Sequence, residues 1–175
     1  MHAPAHPAHL ETHPAKVVQG RASVTAAGIV LLGGTALALL DLAFAMAFWA
    51  WHDVPPIRIP QSIAAWVIGL PAAHAGGMAT AMLGLLLYVG VVCAVVATYR
   101  AASRAWPVLW QRPLRCGPVY GLLMYVLIFE LAVPYLSLAG AAPRRLDWTL
   151  ACVIGYMLLI GLPTALIARG LHLRR

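Results

Sequence analysis

Two carboxylates lie inside long apolar runs: Asp41 in "LALLDLAFAMAFWAW" (37–51) and Glu130 in "YVLIFELAVPYL" (125–136). An ionised side chain at mid-bilayer costs about 2.5–3.5 kcal/mol by insertion scales, so such residues face a bundle interior and often mark function. Two carboxyls at matched depth can share one proton or hold a cation. Tyr88 and Tyr156 sit in two further apolar runs, and His74 precedes one of them. Asp41, Glu130, Tyr88, Tyr156 and His74 therefore form a candidate ion or proton site, the tyrosines and histidine serving as hydrogen-bond partners. A purely structural reading stands beside it. Asp41 would accept bonds from backbone broken by the Pro-rich stretch at 55–60, and Glu130, four residues before Pro134, would bond a neighbouring helix as a neutral acid.

Other chemistries find no footing. A b-type haem needs two histidines at matched depth on facing helices, and no histidine falls within an apolar run. No Walker loop, G-x-S-x-G or H-E-x-x-H motif occurs, and His74 has no partner serine for a Ser–His pair. Cys93, Cys116 and Cys152 lack C-x-x-C spacing, which speaks against a disulfide framework. No enzyme activity and no cofactor are expected. A weak metal signal remains in the leading "MHAPAHPAHLETHPA", where His2, His6, His9 and His13 could chelate an ion. Its prolines and lack of apolar periodicity read more simply as a flexible, solvated tail.

The elements that must position these residues follow from composition. The 175-residue chain is 62% hydrophobic and 10% charged, against about a quarter charged in a soluble domain. Its mean hydropathy is +0.84. That composition describes an integral membrane protein with no separate soluble domain. Four runs reach the roughly 20 residues that a spanning helix needs: about 24–51, 79–99, 117–138 and 149–168. "AFA" at 43–45 resembles a signal-peptide cleavage site, but the charged lead is long and Asp41 falls just before it. The first run is read as a transmembrane helix. Between the first two runs, residues 59–70 are too short to span and carry Ile63, Trp66, Val67 and Leu70 at helical spacing, which predicts a short interfacial helix or a partial re-entrant turn.

The fold expected is an all-α bundle of four transmembrane helices over 24–170, with a tail at 1–23 and a basic end at 171–175. Nine Lys and Arg residues fall on the side of both termini and the 100–116 loop, and three (Arg58, Arg144 and Arg145) on the other. The positive-inside rule then puts both termini in the cytoplasm. A net charge of +7 distributed this way is a topology signal, and no nucleic-acid partner is expected. With that topology Asp41 lies about 25 Å and Glu130 about 20 Å from the cytoplasmic side at 1.5 Å per residue. Tyr88, Tyr156, His74 and Gln61 reach the same outer half. Gly28, Gly33, Gly34, Gly84, Gly155 and Gly161 are candidate packing positions, since small residues let helix backbones approach in lipid.

The order of these polar marks resembles the YagU-like family of small bacterial inner-membrane proteins. The stretches are "GGTALALLDLAFAMAFW" (33–49), "IPQSIAAWVIG" (59–69), "AMLGLLLYVGVVCAVVATYRAAS" (81–103), "RCGPVYGLLMYVLIFELAVPYLS" (115–137) and "GYMLLIGLPTALIARG" (155–170). The resemblance covers about 28–170 and implies this fold and a bacterial inner-membrane location. Where the family pattern has a histidine after "LGL-x-L", this chain has Tyr88, a departure that weakens a proton-coupled reading. Two functions are expected to compete. One is a non-catalytic accessory subunit of a larger inner-membrane complex, respiratory among the candidates, with lipid, neighbouring subunits or a second copy as partners. The other is a small proton- or cation-linked carrier using Asp41 and Glu130.

Overall fold

The computed structural model of the chain describes residues 25–140 and 145–173. Seven helices follow in order: α1 Ala26–Ala50, α2 Arg58–Ile68, α3 Leu70–Ala75, α4 Gly77–Ala105, α5 Val108–Gln111, α6 Pro113–Leu136 and α7 Leu146–Leu173. Four of them, α1, α4, α6 and α7, are long and apolar enough to cross a bilayer, with mean hydropathies of 2.1, 2.4, 1.8 and 2.2 over their most apolar windows. The expected all-α, four-span class is thus present, and no strand occurs among the described residues. The His-rich tail with His2, His6, His9 and His13 lies outside the described residues.

Local chemistry sets the boundaries. Thr25 caps α1, its hydroxyl accepting the Gly28 N–H at 3.2 Å. α4 continues to Ala105, beyond the predicted 99, and stops at Trp106, whose extended backbone (φ −121°, ψ 96°) is imposed by Pro107. Arg112 before Pro113 is likewise outside the helical region, which separates α5 from α6. α6 therefore begins four residues before the predicted 117, with Pro113 in its first turn. The short helix expected at 59–70 is present as α2, and Gly69 (φ 77°, ψ 155°) turns the chain into a further short helix, α3, that was not expected.

α6 and α7 both change pitch midway. Residues Val126–Ala132 and Tyr156–Gly161 form widened turns in which the N–H reaches back five residues, as from Val133 to Ile128 and from Leu162 to Met157. Each widened stretch ends two residues before a proline, Pro134 or Pro163. A proline ring clashes with the carbonyl four residues earlier and offers no N–H. Widening the preceding turn re-satisfies part of the freed backbone, which lipid would otherwise leave unpaired.

α4 packs on α1 and on the α2–α3 pair, α6 packs on α7, and α7 also touches α1 and α4. Glycines set the closest approaches. A Cβ at Gly84 would overlap the Pro60 carbonyl oxygen of α2, and one at Gly34 would lie 2.9 Å from the Cys93 Cα. A Cβ at Gly161 would overlap the Gly117 carbonyl, and one at Gly121 the Tyr156 carbonyl. Gly117 and Gly121, in "CGPVYG", form a further small-x-x-x-small pair. Gly33 is a softer contact, meeting the flexible end of Ile167 at 2.8 Å. Gly28 is half-buried near the start of α1.

Candidate functional site

Asp41 is buried in α1 at 8% exposure, and the Tyr88 hydroxyl of α4 donates to its Oδ2. The Tyr156 hydroxyl of α7 lies 3.3 Å from that of Tyr88. Both tyrosines are buried. At 1.5 Å per residue, Asp41, Tyr88 and Tyr156 stand about 14, 17 and 15 Å from the ends of their helices on the Trp51 side, so three helices present them at one level. The hydroxyl inventory then fixes a direction. Tyr88 has one proton, and it goes to Asp41, so Tyr88 can only accept from Tyr156. The three groups form a one-way chain, Tyr156 to Tyr88 to Asp41, joining α7, α4 and α1. On the other side of the carboxylate, a Cβ at Gly155 would lie 3.6 Å from Oδ1 and 3.3 Å from the Phe44 ring, so the missing side chain leaves Oδ1 room.

Glu130 belongs to a different group. It is half-buried in the widened part of α6 and accepts from Tyr125 Oη at 3.1 Å. Rings stand between it and the Asp41 chain. Tyr125 meets Tyr156 edge-on at 6.2 Å between centroids, Phe129 meets Tyr156 at 5.4 Å and 88°, and Trp66 of α2 meets Phe129 at 6.2 Å. No hydrogen bond joins the Tyr125 and Tyr156 hydroxyls. The two carboxylates therefore have separate tyrosine partners on either side of an aromatic layer.

His74 is exposed on α3 and does not reach Asp41 with a hydrogen bond. Its carbonyl instead accepts from Arg58 Nη1 at 3.3 Å, and the same Arg58 nitrogen donates to Gln61 Oε1 at 3.2 Å. Gln61 is 2% exposed, and its Nε2 donates to Gly77 O at 2.9 Å. Thr80 completes the set by donating to Ala73 O at 2.6 Å. These groups satisfy the backbone at the α3–α4 junction, where Gly77 has φ 57°. Asp41 takes no bond from the 55–60 stretch; its donor is Tyr88 of α4.

Tyr125 was missed in sequence. Five residues separate it from Glu130, and at 100° per residue the two would lie roughly 140° apart on a regular helix. The widened turn brings them together. At the opposite end of the bundle the His172 ring of α7 stacks on Trp110 (5.2 Å, 17°), with its Nε2 3.2 Å from the buried Ser103 Oγ. Thr164, one residue past Pro163, buries a hydroxyl without a partner among the described residues. No three His, Cys, Asp or Glu side chains converge as a metal site among those residues.

Charge and aromatic residues mark the two ends of the bundle. Arg100, Arg104, Arg112, Arg115 and Arg169 gather at one end with Trp106 and Trp110. The other end carries Trp49, Trp51 and Trp148, with Arg145 and His52 both on Asp147, at 2.8 Å and 3.5 Å. Tryptophans at both ends of apolar helices are the usual marks of the two membrane–water interfaces. Comparison of the chain with family models, with curated proteins and with solved structures finds no match.

Proposed function

We propose that this multi-pass membrane protein is a non-catalytic accessory subunit that docks onto a larger bacterial inner-membrane complex of the respiratory kind. One observation carries this reading: α6 is barely covered by its own bundle. Only 11% of its most apolar window is buried, against 33%, 33% and 39% for α1, α4 and α7. Val119, Leu122, Leu123, Val126, Leu127 and Leu131 face outward along it. Packing in lipid depends on close backbone approach and specific polar contacts rather than on apolar area. The small residues of α6, Gly117 and Gly121, are taken up by α7, so a partner would meet the larger side chains of that outward face by van der Waals contact. The arginine-rich end is assigned to the cytoplasm by the positive-inside rule, and the resemblance to the YagU-like family implies a bacterial inner-membrane location.

The test is gentle extraction of native membranes followed by native-gel mass spectrometry of whatever carries the chain. Stoichiometric co-migration with other subunits, lost when Leu123 and Leu127 are replaced by Trp, is the expected result. Migration alone, as a monomer or homo-oligomer, overturns the reading.

A second reading rests on the one-way chain from Tyr156 through Tyr88 to Asp41. A buried carboxylate held by a hydroxyl donor is a group that a proton-linked carrier loads and unloads. Under it, Asp41→Asn abolishes flux in liposomes without altering expression or folding. Unchanged flux, or none in the unmutated protein, removes it.

A further inference from the structure

The arginine-rich end contains an open cavity of about 370 Å³ lined by Gln111, Arg112, Pro113, Leu114, Arg115 and Arg169. Three of its six lining residues are arginines and one is a glutamine, with no acidic residue in its wall. The described acids lie elsewhere: Asp41 and Glu130 within the spans, Asp53 and Asp147 at the far end. Arginines gathered at one recess with no acid beside them favour an anion there.

The wall is held in place from several sides. Tyr99 Oη of α4 donates to the Leu109 carbonyl at 2.9 Å, and Cys116 Sγ of α6 lies 3.6 Å from the Val108 carbonyl. Trp110 stacks on His172, which is itself fixed to Ser103. α5 is thereby clamped between α4, α6 and α7, and Gln111 and Arg112 are set opposite Arg169. A neighbouring crevice among Arg100, Arg104, Leu171 and His172 holds only about 10 Å³, no more than one water. The larger cavity has the volume of a small-molecule site, about 300 Å³ upwards.

Its surroundings point to the ligand. The cavity opens at the level of Trp106 and Trp110, where headgroups lie. Leu114, 72% exposed, forms part of its wall, and Val119 (67%) continues the apolar surface along α6. A cationic recess running into an apolar helix face matches a phosphate joined to acyl chains. Arginine's planar fork suits phosphate oxygens better than the point charge of lysine. We infer that this cavity binds the phosphate of an anionic phospholipid, with Arg112, Arg115 and Arg169 on the headgroup and the outer face of α6 along an acyl chain. The inference depends on the membrane fold and not on either function proposed above.

The full-length chain, purified in a neutral maltoside, is titrated with dioleoyl-phosphatidylglycerol or dioleoyl-phosphatidylcholine and read by native mass spectrometry. The phosphatidylglycerol adduct should be retained at least about tenfold better, a difference that R112Q/R115Q/R169Q removes. Arg58→Gln with Arg145→Gln, which removes charge at the other end, should leave it intact. R112K/R115K/R169K should retain part of the preference, and the single Arg115→Gln and Arg169→Gln variants give the same comparison where the triple substitution does not fold. Equal retention of the two lipids, or a glutamine series that binds phosphatidylglycerol like the unmutated chain, overturns the inference. Full displacement of the lipid by millimolar inorganic phosphate overturns the lipid assignment, leaving a site for free anions.

Discussion

Tyr88→Phe removes one oxygen and with it both links of the interhelical chain. Asp41 loses its donor and the Tyr156 hydroxyl loses its acceptor, and each is left buried at 8% and 2% exposure. Interhelical hydrogen bonds in membranes average about 0.6 kcal/mol and reach about 1.7. Leaving a buried polar group unsatisfied costs about 1–3 kcal/mol. The bond to the carboxylate should lie at the upper end and the 3.3 Å contact at the lower, for a total of about 2–3 kcal/mol. In reversible unfolding by dodecyl sulfate in mixed micelles, that is about a 30- to 140-fold shift in the unfolding constant. Tyr156→Phe removes only the terminal donor and should cost about 0.5 kcal/mol. A double-mutant cycle of Tyr88→Phe with Asp41→Leu should give a coupling of about 1–2 kcal/mol. Two results refute the one-way chain: a Tyr156→Phe cost as large as that of Tyr88→Phe, or Tyr88 and Asp41 effects that add within about 0.5 kcal/mol.

The glycines separate into two classes that a thermal-stability series distinguishes. Gly121→Leu and Gly161→Leu push side chains into the facing backbone and should detach α6 from α7, read as a large fall in melting temperature. Gly90→Ala meets nothing within 4 Å and should stabilise by about 0.5–1 kcal/mol through helix propensity alone; destabilisation there would show an uncounted contact. Gly69→Ala places a side chain where φ is 77° and ψ 155°, a region almost reserved for glycine, and should cost about 1–3 kcal/mol. Pro134→Ala restores an N–H to reach the Glu130 carbonyl, so α6 should regain regular pitch and the Tyr125–Glu130 coupling in a double-mutant cycle should fall to zero; an undiminished coupling would separate the widened turn from the proline.

What the sequence made legible was whatever depends on long averages or on single conspicuous residues. Four spans follow from apolar runs, and Asp41 stands out because nothing near it is charged. Its tyrosine partners emerged from matching depths alone, since Tyr88 and Tyr156 occupy apolar runs at the level of Asp41. Depth, however, says nothing about azimuth. Glu130 passed the same test and sits behind Phe129 and Tyr125, and His74 lies on the correct side of the membrane but on α3, turned outward by the geometry around Gly69 and Gly77. The Tyr125–Glu130 bond is invisible to a reading based on 3.6 residues per turn. The widened turns had a visible cause in Pro134 and Pro163, but the sequence does not state how a helix absorbs a proline: by kinking, by breaking or by widening.

Those two prolines connect the separate parts of the bundle. The widened turns fall on α6 and α7, the pair joined by Gly117, Gly121 and Gly161, and each contributes a polar side chain from within or beside the altered pitch. Tyr156 opens the widened stretch of α7, and Glu130 lies inside that of α6. Regular pitch would rotate every residue beyond these points relative to its present face, moving the glycine seam or the tyrosines out of register. The close approach at Gly121, where the Tyr156 carbonyl fills the space of a missing Cβ, therefore fixes where the Tyr156 side chain emerges on the far side of α7. There it donates to Tyr88 and, through it, supports Asp41. A carboxylate is tolerated in the apolar first helix because Tyr88 of α4 donates to it at its depth, and the proline-adapted helix α7, held in place by its packing on α6, adds the hydroxyl that completes the chain.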